Sequence, residues 1–365
     1  MKKEIANKSK VLRYILDKGE TSKAQIAKDM NLSMPTVLQA IKSLEEQKII
    51  CEAGVYESTG GRKAKAISVC GKFAYSVGID ITKNHIALAV LDMKEQVVYS
   101  TRKRKKFEYS MDYCNDIANE IRNILMQEQI NPQKVLGVGV SIPGIINYED
   151  SILIKSHALQ LENISLKNLE NAIGYPVYFE NDANAALMAE KEIANDKVLY
   201  LSLSNTVGGA VCLDGQLFRG RSSRAGEFGH MTLYPDGRKC YCGKKGCVDA
   251  YCSALLLRTR EDMTLHQFME QVKKKDEECC RIWDKYLDDL ALVIMNLQMV
   301  MDVDIIIGGY VGKYLKEYMI EFGEKVEREN IFGGDVNYLH NCTFQDEVSA
   351  VGVARYFIDK YIEEF

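Results

Sequence analysis

The sequence predicts an α/β protein with a small helical head and a body of two similar α/β lobes. Residues 1–68 contain three short amphipathic helical patterns and carry 13 Lys or Arg against 8 Asp or Glu. The rest of the chain is acidic, and a strand–turn–strand pattern opens twice in it, near Tyr75 and near Tyr200. Such a repeat predicts two lobes with a cleft between them, where ligands bind at the carboxyl ends of strands.

The head has the pattern of a helix-turn-helix. Apolar residues of 9–18 form one helical stripe, and Gly19 ends this first helix. Thr21 is the predicted N-cap of the second helix, and Ser33 is the predicted N-cap of the third, with Pro35 tolerated in its first turn. Two helices joined by a tight turn predict a helix-turn-helix.

A wing follows the third helix. Residues 49–69 alternate like a two-stranded hairpin around Gly60 and Gly61, with cationic residues just beyond the tip. Because the third helix of such a module enters the major groove, it supplies most of the candidate DNA contacts. These contacts are Ser33, Met34, Thr36, Gln39 and Lys42 on the helix, and Arg62 and Lys63 on the wing. A small helical protein-interaction domain has the same core pattern, but the cationic wing tip favours DNA.

Composition indicates the compartment. The chain shows no signal peptide, and its most apolar helical stretch, residues 290–301, is too short to span a bilayer. We therefore expect a soluble, cytoplasmic protein with no membrane partner. Eleven cysteines without an export signal indicate reduced thiols and metal ligation instead of disulfides.

The segment HMTLYPDGRKCYCGKKGC, residues 230–247, has the spacing of a metal site. Its His230, Cys240, Cys242 and Cys247 supply the four N and S ligands of a closed, structural Zn²⁺ site. Gly237, Gly243 and Gly246 allow the tight turns that short ligand spacings need. The alternative is a chance grouping, because cysteine is also a common small buried residue.

The segment VYFENDANAA places Asn181 and Asp182 between an apolar strand and an Ala-rich helical stretch. A carboxylate at such a junction can act as a general base for a hydroxyl nucleophile. Asp and Asn are equally good helix caps. The local pattern leaves both interpretations open.

The motifs ENDAN, GEFGH and CYCGKKGC, in this order, resemble those of the ROK family of sugar-responsive repressors and sugar kinases. The resemblance covers essentially the whole chain, including the winged head that the repressor branch carries. It implies a two-lobed, actin-like and hexokinase-like fold, which is a duplicated ribonuclease-H-like fold, and a homodimer or dimer of dimers. The predicted domains are a winged head at 1–70, lobes at 71–182 and 183–345, and a closing helix at 346–365.

The resemblance also implies a sugar site. Sugar hydroxyls would be held by Asn181, Asp182, Glu227 and His230, and Asp182 stands where the kinases have their base. Asp249 occupies the position of a family glutamate that reaches the sugar, with one methylene less.

Two departures separate this chain from the kinases. The family's DxGGTK run is Asp80-Ile-Thr-Lys-Asn here, without glycines, and the GTGxGGG loop is replaced at residues 204–210 by SNTVGGA. Added side chains obstruct a phosphate that must lie against backbone amides. The sequence therefore predicts a non-enzymatic repressor that binds operator DNA and a monosaccharide in its cleft. The alternatives are a sugar kinase with an appended DNA-binding head and a scaffold that responds to no ligand.

Overall fold

The computed structural model describes residues 2–56, 64–190, 196–258, 263–343 and 347–364. The helices are α1 (Lys2–Lys18), α2 (Lys23–Asp29), α3 (Met34–Glu46), α4 (Met111–Gln127), α5 (Lys167–Ile173), α6 (Asp182–Ala189), α7 (Asp249–Cys252), α8 (Leu265–Lys273), α9 (Glu277–Met301), α10 (Gly309–Leu315), α11 (Met319–Glu329) and α12 (Val348–Glu364).

The strands are β1 (Glu20–Thr21), β2 (Ile50–Tyr56), β3 (Ala64–Val69), β4 (Tyr75–Ile81), β5 (His85–Asp92), β6 (Val97–Arg104), β7 (Val135–Ile142), β8 (Ile145–Asn147), β9 (Ile152–Ser156), β10 (Leu161–Ser165), β11 (Val177–Asn181), β12 (Val198–Leu203), β13 (Val207–Leu213), β14 (Gln216–Leu217), β15 (Asp304–Gly308) and β16 (Leu339–Asn341).

The chain divides into two compact units that interleave along the sequence. The first unit contains Met1–Ser141, Leu166–Phe179 and Ala350–Phe365, and the second contains Ile142–Ser165 and Glu180–Ser349. The winged head, the first α/β sheet and most of α12 therefore share one unit. The second unit contains every predicted metal and sugar ligand.

The head has the predicted three helices, with one correction at a helix start. Ser22, not Thr21, caps α2, and its hydroxyl accepts a hydrogen bond from the Gln25 amide at 3.2 Å. Thr21 is instead buried in β1, where it pairs with Ile67 of β3. The prediction of Thr21 as N-cap was wrong because a short strand, absent from the sequence pattern, takes up that residue. Ser33 caps α3 as predicted.

The wing is a three-stranded sheet in the order β1-β3-β2, with β2 and β3 antiparallel as predicted. The hairpin tip, including the candidate DNA contacts Arg62 and Lys63, lies outside the described residues. The first helix starts at Lys2, well before the predicted residue 9. Its stripe joins residues of α2 and α3 in a core of fully buried side chains, including Val11, Leu12, Ile15, Ile26, Val37, Ile41 and Leu44.

The sheet of the first unit has the order β11-β7-β4-β5-β6. Strands β4, β5 and β6 are antiparallel neighbours, and β7 runs parallel to β4. Helix α12 packs closely on this sheet over two glycines. A Cβ at Gly78 would lie 1.8 Å from the Ala350 carbonyl oxygen, and one at Gly139 would lie 2.2 Å from that of Val353. Only residues without a Cβ permit this approach.

The sheet of the second unit repeats this arrangement. Its order is β14-β13-β12-β15-β16, with β12–β13–β14 antiparallel and β12–β15–β16 parallel. Its strands bury alternate faces against helices, and α9 packs Leu287, Leu290 and Ile294 into the larger core. The two matching sheets confirm the predicted duplication and the α/β fold class. Across the described residues, no helix has the length and apolar character that would let it cross a membrane.

Candidate functional site

The junction between β11 and α6 is organised by a buried carboxylate. Glu180 is fully buried, and its Oε1 accepts hydrogen bonds from the Tyr148 hydroxyl at 2.5 Å, the Asn184 amide at 2.9 Å and the Asn181 backbone at 2.9 Å. Its Oε2 accepts from Arg219 at 2.6 Å, and that guanidinium lies 4.6 Å from the centre of the Tyr148 ring.

Sequence reasoning passed over this network. The available signals were a carboxylate at the end of an apolar strand and an arginine in the RGRSSR segment. Neither signal identifies the other, because 39 residues separate Glu180 from Arg219. Together these side chains fix the backbone that presents Asn181 and Asp182.

Asn181 acts as a helix cap. Its Oδ1 accepts from the backbone amides of Ala183 at 2.9 Å and Asn184 at 3.3 Å, and its Nδ2 donates to the Gly144 carbonyl at 3.0 Å. The capping interpretation therefore describes Asn181. These bonds use both acceptor positions of the amide, and the Asn181 side chain also donates to the Asp182 carboxylate.

Asp182 and Glu227 form a pair of acids whose charges interact. Burial raises the pKa of the half-buried Asp182, although the backbone amides of the first turn of α6 lower it in part. Glu227 keeps one side open to solvent, but the surrounding protein and then the Asp182 carboxylate raise its pKa. Carboxylates whose ionised forms are disfavoured in this way are stabilised by hydrogen bonds that neutral hydroxyl groups donate to them.

The predicted metal ligands come together. The candidate ligand atoms of His230, Cys240, Cys242 and Cys247 all lie within 4.8 Å of one another. The sulfurs of Cys242 and Cys247 are 3.8 Å apart, and a tetrahedral site with metal–sulfur bonds of about 2.3 Å requires about 3.8 Å between sulfurs. Among the described residues, the buried Nδ1 of His230 has no hydrogen-bond partner. The four residues therefore fit a tetrahedral metal ion.

The local chain explains how these ligands meet. Gly243 and Gly246 have φ of +91° and +76°, and a Cβ at Gly246 would lie 1.8 Å from the Tyr234 carbonyl oxygen. Burial, followed by the charges of His157 and Lys244, lowers the pKa of His230. The imidazole is thereby kept neutral, as metal ligation requires. The Tyr234 hydroxyl donates to the buried Asp289 at 2.7 Å and ties the loop to α9.

Asp249 lies at the start of α7 and is buried. Its Oδ2 accepts a hydrogen bond from the backbone amide of Val207 at 2.7 Å. Burial raises the pKa of Asp249 to about 6, although this hydrogen bond lowers it in part. The structure thus gives Asp249 a partner in the loop at residues 204–210, which replaces the glycine-rich phosphate loop of the kinases.

Helix α3 exposes a face along its predicted DNA contacts. Met34 and Leu38 are 42% and 46% exposed, although both are large apolar residues. Lys42 follows at the same helical spacing, and its side chain is 78% exposed. Gln39 is also exposed, whereas Ser33 and Thr36 join their hydroxyls at 2.8 Å in the cap. Leu38 was missed by sequence reasoning, and its signal was the i,i+4 spacing from Met34.

The fold and the site together define a winged helix-turn-helix protein with a duplicated α/β body and a loop whose His/Cys cluster could hold a metal ion. The ROK family model matches residues 76–359, and a model described as winged helix-turn-helix DNA-binding matches residues 6–50. The chain therefore belongs to the ROK family, as the motifs predicted.

Similar proteins include both repressors and kinases. The chain is 30% identical over 273 residues to the xylose repressor of Bacillus subtilis (strain 168), which covers 72% of this chain and 70% of the repressor. It is 24% identical over 273 residues to the DNA-binding transcriptional repressor Mlc of Escherichia coli (strain K12), covering 73% and 67%.

Two solved structures show the extent of the shared fold. A ROK family transcriptional regulator, described as a homolog of Escherichia coli Mlc, superposes with a TM-score of 0.77 at 20% identity over 99% of this chain and 97% of its own. A ROK glucokinase from Streptomyces griseus, solved with glucose and AMPPNP, gives a TM-score of 0.63 at 22% identity over 78% and 99%. The regulator match extends over the winged head.

Proposed function

We propose that this protein is a sugar-responsive, DNA-binding transcriptional repressor. The observation that carries the proposal is the exposed face of α3 in a winged head that is joined to a ROK body. Its relatives support the proposal, since they include a xylose repressor and the transcriptional repressor Mlc. Operator DNA and a neutral monosaccharide are the two ligands.

The DNA contact is assigned to α3 and the wing. Ser33, Met34, Thr36, Gln39 and Lys42, with Leu38 added from its exposure, face the major groove. Apolar side chains can contact the thymine methyl group, which gives Met34 and Leu38 a role in reading sequence. Arg62 and Lys63 contact phosphates beside the groove.

The sugar site is assigned to five residues of the second unit. Asp182 and Glu227 accept hydrogen bonds from sugar hydroxyls, Asn181 contributes its side-chain amide, and His230 contributes its Nε2 edge. Asp249 acts mainly through the Val207 amide that it holds. The electrostatic effect of the Asp182 carboxylate on Glu227 supports this assignment, because it places the two acids near each other.

The His/Cys cluster binds Zn²⁺ in a structural role. Three thiolates and one imidazole are a donor set that zinc prefers, and four protein ligands close the coordination shell. The ion fixes the loop that carries His230, and the three thiolates more than neutralise its charge.

The chain does not act as a sugar kinase, which is the second candidate function because kinases share its fold. A phosphate loop needs free backbone amides, yet the Val207 amide is already held by a buried carboxylate. That carboxylate would also repel a phosphate when ionised. The absence of glycines after Asp80, where Ser141 donates to the Asp80 carboxylate at 2.8 Å, supports the same conclusion.

A homodimer is the proposed assembly, acting in the cytoplasm. Two heads would then read half-sites one helical turn of DNA apart, or a multiple of a turn, in a palindromic operator. A sugar can change operator affinity only if it binds the two arrangements of the dimer with different affinities.

Operator binding tests the DNA assignment. Lys42→Ala should weaken binding uniformly across operator sequences and reduce the salt slope by about 1. Lys274→Ala removes the same charge from an exposed position in the body and is the matched control. An unchanged slope for Lys42→Ala would contradict the placement of α3 on DNA.

Calorimetric titration with xylose, glucose and N-acetylglucosamine tests the effector assignment, with Glu227→Ala as the site variant. We expect one sugar to bind the wild type and to release operator, and the variant to lose both effects. A coupled ATP assay with the same sugars separates the kinase. Turnover that Asp182→Asn abolishes would establish the kinase and refute the non-enzymatic repressor.

A further inference from the structure

Three aromatic rings meet beside the metal loop in the second unit. The ring centres of His157 and His230 are 5.9 Å apart, those of His157 and Tyr241 are 5.7 Å apart, and those of His230 and Tyr241 are 5.4 Å apart. All three pairs are edge-to-face, with interplanar angles of 64–73°. This arrangement is attractive and fixes the rings against one another. The proposed sugar site uses only His230 of the three.

Tyr241 is held in place from two sides. It stands between the metal ligands Cys240 and Cys242, so the ion that binds them also fixes its backbone. Its hydroxyl lies 3.4 Å from Nε2 of His230. The side chain is nevertheless 52% exposed, which is unusual for a large aromatic residue fixed at its backbone. A rigid, exposed ring of this kind loses little conformational entropy when a ligand packs on it.

The surroundings match one kind of ligand. The Asp249 and Glu227 carboxylates are close enough to Tyr241 for their charges to act on its phenol. His157 lies in the turn between β9 and β10 and is exposed. Carboxylates and an exposed imidazole thus lie near the aromatic ring of Tyr241.

We propose that Tyr241 and His157 form an aromatic wall of the effector site and determine which monosaccharide it accepts. A neutral pyranose has a polar edge of hydroxyls and a face of C–H bonds. The Asp182 and Glu227 carboxylates take the edge, and the Tyr241 ring packs on the C–H face. An axial hydroxyl on the C–H face would hold the sugar away from the Tyr241 ring. The aromatic wall therefore discriminates between epimers that differ in this hydroxyl. This inference rests on the proposed function, because it concerns the same site.

The test measures selectivity, which a merely structural role would not change. Calorimetry with xylose, glucose and galactose gives the ratio of affinities for each protein. We expect Tyr241→Ala to bind the preferred sugar about tenfold more weakly and to lose most discrimination against its epimers. Tyr241→Phe keeps the ring and should lose about fivefold through the hydroxyl alone. His157→Gln keeps a polar side chain, loses the ring, and should also lower the ratio.

Lys245→Ala, an exposed position in the same loop, is the matched control, and zinc content and operator affinity without sugar are measured for every variant. Zinc content should be unchanged in Tyr241→Phe and His157→Gln, so these two variants carry the test if Tyr241→Ala loses the ion. Wild-type binding with unchanged affinities and ratios in these variants would overturn the aromatic wall and leave the proposed function intact. A wild type that binds no sugar overturns both.

Discussion

Arg219→Ala should destabilise the second unit far more than its position on the surface indicates. Arg219 is about one-third exposed, but its partner Glu180 is completely buried. The substitution leaves an ionised carboxylate in the interior without its cation, 2.6 Å from where that cation was. The neutral donors from Tyr148, Asn184 and the Asn181 backbone stay in place.

The magnitude follows from this asymmetry. Removing one partner of a buried ion pair costs about 3–5 kcal/mol, because the other charge stays buried and uncompensated. The neutral donors that stay in place and the partial exposure of Arg219 put the loss of stability at the lower end of this range, about 3 kcal/mol. Glu180→Gln removes the buried negative charge, and the Arg219 side chain can then turn to solvent. We therefore expect this variant to lose about 2 kcal/mol of unfolding free energy. The double variant should be less destabilised than the sum of the two single variants.

Urea unfolding followed by tryptophan fluorescence measures these differences, since Trp283 is buried in the core of the second unit. The matched control is Lys273→Ala, which breaks an exposed pair with Glu317 in the same unit and should change stability by less than about 1 kcal/mol. A change below about 0.5 kcal/mol for Arg219→Ala, equal to that control, would refute the buried-carboxylate reasoning.

Three further predictions concern the same unit. Cys247→Ala should abolish stoichiometric zinc binding and lower the melting temperature, as measured by a zinc assay and a thermal melt. The control Cys51→Ser, at an exposed cysteine outside the cluster, should change neither quantity. Gly209→Ala should cost about 1–3 kcal/mol in urea unfolding, because its Cβ would lie 2.2 Å from the Phe228 ring, while Gly208→Ala, with its nearest contact at 3.4 Å, should be tolerated. The raised pKa of Asp182 means that its ionised form opposes folding, so Asp182→Asn should melt higher at pH 7, with the gain vanishing below the ordinary carboxyl pKa of about 4. Thermal melts at several pH values test this prediction. A lower melting temperature for Asp182→Asn than for the wild type at pH 7 would contradict it.

The fold was largely predictable because its signals are local and repeated. Alternating apolar runs near Tyr75 and Tyr200 predicted two strand–turn–strand openings, and the structure places both in sheets of the same order. The metal loop was predictable because its four ligands lie within one short segment. Thr21 was mispredicted because strand β1 depends on pairing with β3, which lies about 45 residues later and leaves no trace in the local pattern.

The parts that escaped prediction depend on contacts distant in sequence. Glu180 meets Arg219 and Tyr148, and Asp249 meets Val207, across 32 to 42 residues. His157 lies in a turn of the small sheet β8-β9-β10, and its ring contacts the ring of His230 in the metal loop. The spacing of residues along the sequence can reveal ligands within one loop. It cannot reveal contacts between a loop and distant residues that only the fold brings together.

The contacts of the head limit how a bound sugar could affect DNA binding. Arg13 of α1 pairs with Asp359 of α12 at 2.7 Å and with Glu95 at 3.6 Å, and Arg355 of α12 contacts the same glutamate at 3.3 Å. The Ser9 hydroxyl donates to the Ile362 carbonyl, also on α12. Helix α12 packs against the glycines of β4 and β7. The head therefore cannot rotate relative to the first sheet without breaking these bonds. Either the bonds break in the sugar-bound state, or the head and the first sheet move as one body.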